Sequence, residues 1–193
     1  MNLQPRVLEN AFVRLEPFEE RHREGVRAAL DADPAVWEIM PVNGGGEGFD
    51  TAWEKALADP KRIAHAVIRL SDGKIVGTSS YLNIHQEHGV AEIGWTFYRG
   101  EVRGGPVNPA CKRLMIGNAF EAGARRVAFN VDTRNERSQA AVLKLGAKKE
   151  GVIRDHMVTW TGHVRSTAVF SILKDEWPAV RDGLEARLTA FSP

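Results

Sequence analysis

The chain has 193 residues, 43% of them hydrophobic, with 26 basic and 25 acidic side chains and a net charge of +1. That length fits one domain, residues 1–193, with enough apolar content for a sizeable core, and the balanced charge argues against a broad basic face for nucleic acid. The single cysteine, Cys111, excludes an intramolecular disulfide and a cysteine-rich zinc site, and no apolar run approaches the roughly 20 residues that span a bilayer. Met1–Arg6 has no apolar signal core, so the expectation is a soluble cytoplasmic protein that binds no membrane.

Phe12–Leu15 alternates as a first strand ended by Pro17, and Phe18–Leu30 has helical spacing. Asp33-Pro34 opens a short helix carrying Val36, Trp37 and Met40. Pro41–Gly48 is rich in glycine and reads as a mobile loop, followed by a helix with Trp53 and Leu57 on its apolar face. Ile63–Leu70 and Lys74–Ile84 form a hairpin across Asp72-Gly73, a pair that accepts positive φ. His85-Gln86-Glu87-His88 has two histidines in a turn and no third ligand, so these are surface residues and no metal is expected. Ala91–Tyr98 has the β-branched and aromatic content of a half-buried strand.

A turn bearing Gly100, Gly104 and Gly105 then leads into a helix. Asn108 suits its N-cap and Pro109 its first position, and Cys111, Leu114, Met115 and Ala119 recur at helical spacing. Cys111 falls on the apolar face and reads as a small core residue. Strand, glycine turn and helix start together aim main-chain N–H groups and the positive end of a helix dipole at one point, an anion site fit for a pyrophosphate. The same unit is also ordinary α/β architecture. The N–H groups of Gly104, Gly105, Val107 and Asn108 would line the site, with Arg99, Arg103, Lys112 and Arg113 as mobile positive charge around it.

Arg125–Val131 alternates as a strand. Asn135 caps a helix from Glu136 to Leu145, which Gly146 stops. His156–Trp160 and Val164–Leu173 read as a hairpin across Thr161-Gly162, and Asp175–Leu188 as a last amphipathic helix. Only the middle strand–helix–strand unit demands parallel pairing. The expected class is α/β (α+β), a mixed, mostly antiparallel sheet with helices on both faces.

Asp132-Thr133-Arg134-Asn135-Glu136-Arg137-Ser138 with Leu145-Gly146-Ala147 resembles a signature of the GNAT superfamily of acyl-CoA-dependent N-acyltransferases. Glu150–Arg154, Phe170–Leu173 and Glu176-Trp177-Pro178 resemble its RimJ/RimL-like branch, which contains the ribosomal-protein N-terminal acetyltransferases. The resemblance implies a GNAT-like fold, acetyl-CoA as cosubstrate, and an amine acceptor that is a peptide N-terminus or a small molecule. The glycine turn would hold the coenzyme's pyrophosphate. Gly104 matches the first glycine of the family's phosphate loop, while Pro106 stands where a second small residue is expected and has no N–H to give. The resemblance further implies that Asn135 binds the pantetheine arm and that Ser138 faces the sulfur. The tyrosine that many relatives carry seven positions after the asparagine is Val142 in this chain.

For such a reaction Glu92, on the strand leading to the turn, is the candidate general base through a water, with a salt-bridged strand residue as the alternative. A main-chain N–H near Phe97 and Tyr98 would hold the oxyanion. Trp37, Tyr81 and the loop Asn43–Gly48 are candidates for the acceptor site, although Trp37 also reads as core. The alternatives are acetylation of an antibiotic or polyamine, and a coenzyme-binding module without turnover. Either a monomer or a homodimer is compatible.

Overall fold

The computed structural model describes residues 1–191. Eight strands form one sheet: β1 (Leu8–Glu9), β2 (Val13–Pro17), β3 (Ile63–Arg69), β4 (Ile75–His85), β5 (Val90–Tyr98), β6 (Arg126–Asp132), β7 (Lys148–Val158) and β8 (Val164–Leu173). Their spatial order is β1-β2-β3-β4-β5-β6-β8-β7. Every adjacent pair is antiparallel except β5 and β6, the pair joined by a helical crossover. The helices are α1 (Arg23–Leu30), α2 (Phe49–Ala58), α3 (Val107–Glu121), α4 (Glu136–Lys144) and α5 (Trp177–Leu188). This is the mixed sheet expected from the chain.

Two apolar layers cover the sheet. On one face α3, α4 and α5 meet the strands through Leu15, Val67, Met115, Ile116, Val142, Phe170, Ile172 and Leu184. On the other, α1 and α2 bury Val26, Leu30, Phe49 and Trp53 against Ala66 and Phe97. Residues Ile63 to Val67 of β3 are therefore buried in succession rather than alternately, as a strand covered on both sides must be. Helix α3 is buried almost all round, from Val107 to Phe120, because it lies between the sheet and α5. Gly117 lets Arg113 and the Trp177 ring approach it, where an added Cβ would come within 3.0 Å of Arg113 and 3.3 Å of Trp177.

Several expectations need correction. The helix expected from Phe18 begins only at Arg23, after a 3-10 turn at Glu20–His22, and Phe18 instead stacks on Trp53 with ring centroids 4.4 Å apart. Leu57 points to solvent, since the apolar face of α2 is Phe49, Ala52, Trp53 and Ala56. The short helix expected from Asp33-Pro34 is present, as a 3-10 helix over Pro34–Ile39. The glycine-rich loop is a packed turn: Gly44 and Gly45 lie so close to the Trp37 ring that a Cβ on either would collide with it, and the Gly46 N–H donates to Asp31 Oδ1 at 2.7 Å. The strand expected at His156–Trp160 runs instead from Lys148 to Val158 as an exposed sheet edge. Tyr81 lines no acceptor site. It is wholly buried on the α3 face, where its hydroxyl donates to Met115 O at 2.7 Å and accepts from Asn118 Nδ2 at 3.1 Å.

Candidate active site

The sheet splits where its parallel pair runs out. β5 and β6 are in register only over Val90–Glu92 against Arg126–Ala128, and past that point the two strands diverge. On its other side β5 bulges. Thr78 pairs with Phe97 and Ser80 with Gly94, so Trp95 and Thr96 together oppose Ser79 alone. A bulge bends its strand and adds twist, which carries the end of β5 away from β6. Trp95 sits at φ +48°, a strained conformation for a bulky residue. The Thr78 hydroxyl holds it by donating to Trp95 O at 3.2 Å. Beyond the bulge the ladder resumes, with Arg99 N–H donating to Val76 O at 2.9 Å. Amides alternate in direction along a strand, so Phe97 and Arg99 face β4, and the N–H of Tyr98 faces the wedge between β5 and β6.

At the mouth of this wedge the chain turns through Gly100–Val102, Gly104 at φ +80° and Gly105 into α3. Pro106, not Asn108, is the N-cap, and Pro109 lies inside the first turn. Two of the first residues thus lack an N–H, and Ala110 is the first to bond back, to Pro106 O at 2.9 Å. The N–H groups of Gly104, Val107 and Asn108 have no acceptor among the described residues, whereas that of Gly105 turns in to Val102 O at 3.4 Å. A Cβ added at Gly104 would meet nothing within 4 Å. Open space faced by unpaired amides at a helix start is the cradle a diphosphate needs, so the residues present fit that group.

The charged side chains expected to be mobile there are engaged elsewhere. Arg103 donates to Tyr98 O at 2.8 Å and to Asp33 at 2.7 Å; Arg99 pairs with Glu101, and Arg113 with Glu185. Lys112 is not a surface cation at all: it is 5% exposed and bonded to Ser79 and Thr96.

Opposite α3, α4 begins after β6. Because β5 and β6 are parallel, both helices start at the same end of the wedge. Asn135 Oδ1 caps α4 by accepting from Ser138 N at 3.0 Å, which leaves the Asn135 Nδ2 amide without a protein acceptor among the described residues. Asn135→Asp keeps the capping oxygen and removes that donor. The expected result is an unchanged melting temperature with coenzyme affinity lowered about fivefold to tenfold, in line with one lost hydrogen bond; Asn135→Ala should lose stability as well. Calorimetric titration with coenzyme A beside thermal melts reads both.

Glu92 lies at the apex of the split, as the last β5 residue paired with β6. It is 8% exposed, and its Oε2 accepts from Asn83 Nδ2 at 2.9 Å and from Asn130 Nδ2 at 2.8 Å. Burial pushes its pKa above the ordinary carboxylate range, opposed by the two amides and by the charges of Arg165 and His156. Its Oε1 accepts no bond among the described residues. Gly94 keeps the space beside it clear, since an added Cβ would lie 3.2 Å from that oxygen. The salt-bridge alternative does not hold: no ion pair among the described residues includes Glu92.

Around Glu92 the sheet face is polar. Arg165, 6% exposed, donates to Thr167 Oγ1 at 3.0 Å. Trp95 lies 5.9 Å from the Trp37 ring and beneath the Arg62 guanidinium at 4.7 Å. Burial lowers Arg62 to about 10. The β7–β8 turn reaches the same region, with Trp160 Nε1 donating to Trp37 O at 2.8 Å. Trp37 is itself buried at 3%, with its indole N–H on Leu30 O, so it walls the region from the core rather than projecting into it. Sequence reasoning missed Asn83, Asn130, Arg165 and Arg62. For Asn130 a signal existed: Arg126, Ala128, Asn130 and Asp132 alternate as the less apolar face of β6.

The sequence profile of the acetyltransferase (GNAT) domain matches residues 13–148. The chain belongs to the GNAT acetyltransferase family. It is 30% identical over 125 residues, 65% of this chain and 67% of the relative, to a Bacillus subtilis protein provisionally named ribosomal N-acetyltransferase YdaF. A GCN5-related N-acetyltransferase from Brucella melitensis superposes with a TM-score of 0.87 at 27% identity, covering 96% of this chain and 86% of that one. Mycobacterium smegmatis RimJ, solved with CoA-disulfide, shares the fold with a TM-score of 0.80 at 19% identity over 95% of each chain. The acetyltransferase therefore moves an acetyl group from acetyl-CoA to an amine nitrogen. No helix among the described residues is long and apolar enough to cross a membrane.

Proposed function

We propose that the acceptor is a peptide α-amine laid along the open sheet face and deprotonated by Glu92 through a water. What carries this reading is the Glu92 carboxylate: it is buried, raised in pKa, held through one oxygen and open at the other, at the fork where β5 and β6 part. A second support is the polar sheet face beside it. Helices α1 and α2 pack over β3, β4 and β5, and α3, α4 and α5 lie on the opposite side, so the α1–α2 layer does not extend over β6 and β8.

Acetyl-CoA, when bound, supplies the thioester to be attacked. The amides of Gly104, Val107 and Asn108 take its diphosphate, and Asn135 Nδ2 takes the pantetheine arm. The Tyr98 N–H, pre-aimed into the wedge, stabilises negative charge on the carbonyl oxygen. Glu92 removes the proton from the attacking nitrogen. As the C–N bond forms and the C–S bond breaks, the sulfur leaves as a thiolate, with the Ser138 hydroxyl near its path. Val142 occupies the tyrosine position and donates nothing, which a stable leaving thiolate tolerates. An α-amine, with a pKa near ~8 against ~10.4 for lysine, makes the smaller demand on the base.

A thiol-release assay with acetyl-CoA tests the acceptor. Peptides with a free N-terminus should turn over at least tenfold faster than the same peptides N-blocked but carrying lysine. Turnover of polyamines or aminoglycosides with none on peptides would assign the acceptor site to a small amine instead.

A further inference from the structure

Lysine is rarely fully buried unless paired, yet Lys112, in the second turn of α3, is 5% exposed and belongs to no ion pair among the described residues. Its ammonium donates to Thr96 Oγ1 at 2.7 Å and to Ser79 Oγ at 3.0 Å, and these two hydroxyls lie 2.8 Å from each other. Ser79 is the one β4 residue that faces the two bulged residues of β5, and Thr96 is the second of those. The three groups form a closed triangle across the strained step at Trp95. Around them are Cys111, whose thiol burial pushes up, and the buried Tyr98 hydroxyl, which has no hydrogen-bond partner among the described residues. No carboxylate among the described residues pairs with it, and burial lowers the ammonium from 10.5 to about 8. Folding alone would favour an apolar side chain at this position. A charge kept against that preference, behind a distorted backbone beside the reacting centre, is the mark of a group retained for function.

We propose that Lys112 is a positioning residue for acetyl transfer: by tying Ser79 to Thr96 it fixes the β5 bulge and, two residues on, the direction of the Tyr98 N–H that faces the thioester carbonyl. The inference rests on the reading above that places this carbonyl at the end of β5. Lys112 acts through the backbone and touches neither coenzyme nor acceptor.

The test is Lys112→Met, close in length and without charge, measured at pH 7 where the native ammonium is protonated. A merely structural lysine would lose melting temperature, coenzyme affinity and turnover together. Positioning predicts a melting temperature equal to or above wild type, coenzyme affinity within threefold, and kcat lowered at least tenfold at saturating acetyl-CoA. Thr96→Val should lower kcat similarly, the double variant should be no worse than the poorer single, and Thr96→Ser, which keeps the hydroxyl, should recover most of the rate. Wild-type kcat in Lys112→Met would overturn the inference, as would a joint collapse of stability, binding and turnover. Absence of any amine turnover by the wild-type protein would overturn the functional reading, and this inference with it, so the two failures are distinguishable.

Discussion

Glu92→Gln lowers kcat by ~10²-fold to 10⁴-fold, the range general-base catalysis supplies, while coenzyme affinity stays within twofold. The substitution keeps the size and the oxygen that Asn83 and Asn130 hold, and removes only the basicity. Stability should not suffer. A carboxyl whose native pKa is raised contributes stability that is present below its unfolded pKa and lost as pH rises through the native value. At pH 7 the ionised group is therefore a burden, and the neutral amide should melt at the same temperature or higher. The pH profile carries the sign. Activity needs the carboxylate, so wild-type kcat/KM falls as the medium is acidified through a pKa above the ordinary carboxylate value of 4.5. Asn130→Ala, by removing one of the donors that favour ionisation, moves that limb to higher pH, and Glu92→Gln abolishes it. Full activity in Glu92→Gln would leave deprotonation to solvent.

Gly104→Val is the second large effect, and it falls on binding. Gly104 sits at φ +80° with open space where a side chain would go. A β-branched residue there fills the space meant for phosphate oxygens, and coenzyme affinity should drop at least a hundredfold. It also imposes a left-handed backbone on a branched side chain, a strain of ~1–2 kcal/mol that lowers the melting temperature by ~2–8 °C. Gly73→Val separates the two causes. Gly73 has φ +70° and equally open surroundings, and it lies in the β3–β4 turn rather than in the turn that opens α3. It should show the same thermal loss with wild-type affinity. Equal affinity in both variants would remove the phosphate assignment.

The β5–α3–β6 unit could be read from the chain because its signals are local: alternating apolar residues, glycines, then helical spacing. The same locality explains the errors. Residue-type preferences favoured Asn108 as the cap, but Pro106 takes that place, its fixed φ already helical. Residues Lys148 to Arg154 of β7 are rich in charge and broken by Gly151. They form a strand only because β8 offers a ladder, which no local pattern reports. Lys112 looked like any surface lysine, since helical spacing cannot tell which polar residue turns inward. The fork itself depends on where pairing between two distant strands stops, and the donors on Glu92 come from β4 and β6. Asn83, at φ +47° beside an irregularity in the β4–β5 ladder, reaches Glu92 only through that distortion. The site is tertiary geometry, visible beforehand only as Glu92, the glycine turn and the Asn135 cap.

A crystal structure of the acetyltransferase with coenzyme A tests the central claim most directly. The account predicts diphosphate oxygens within hydrogen-bond distance of the Gly104, Val107 and Asn108 amides, and the sulfur in the wedge between Glu92 and Tyr98. A coenzyme bound elsewhere, with that wedge and its amides left to solvent, would contradict it.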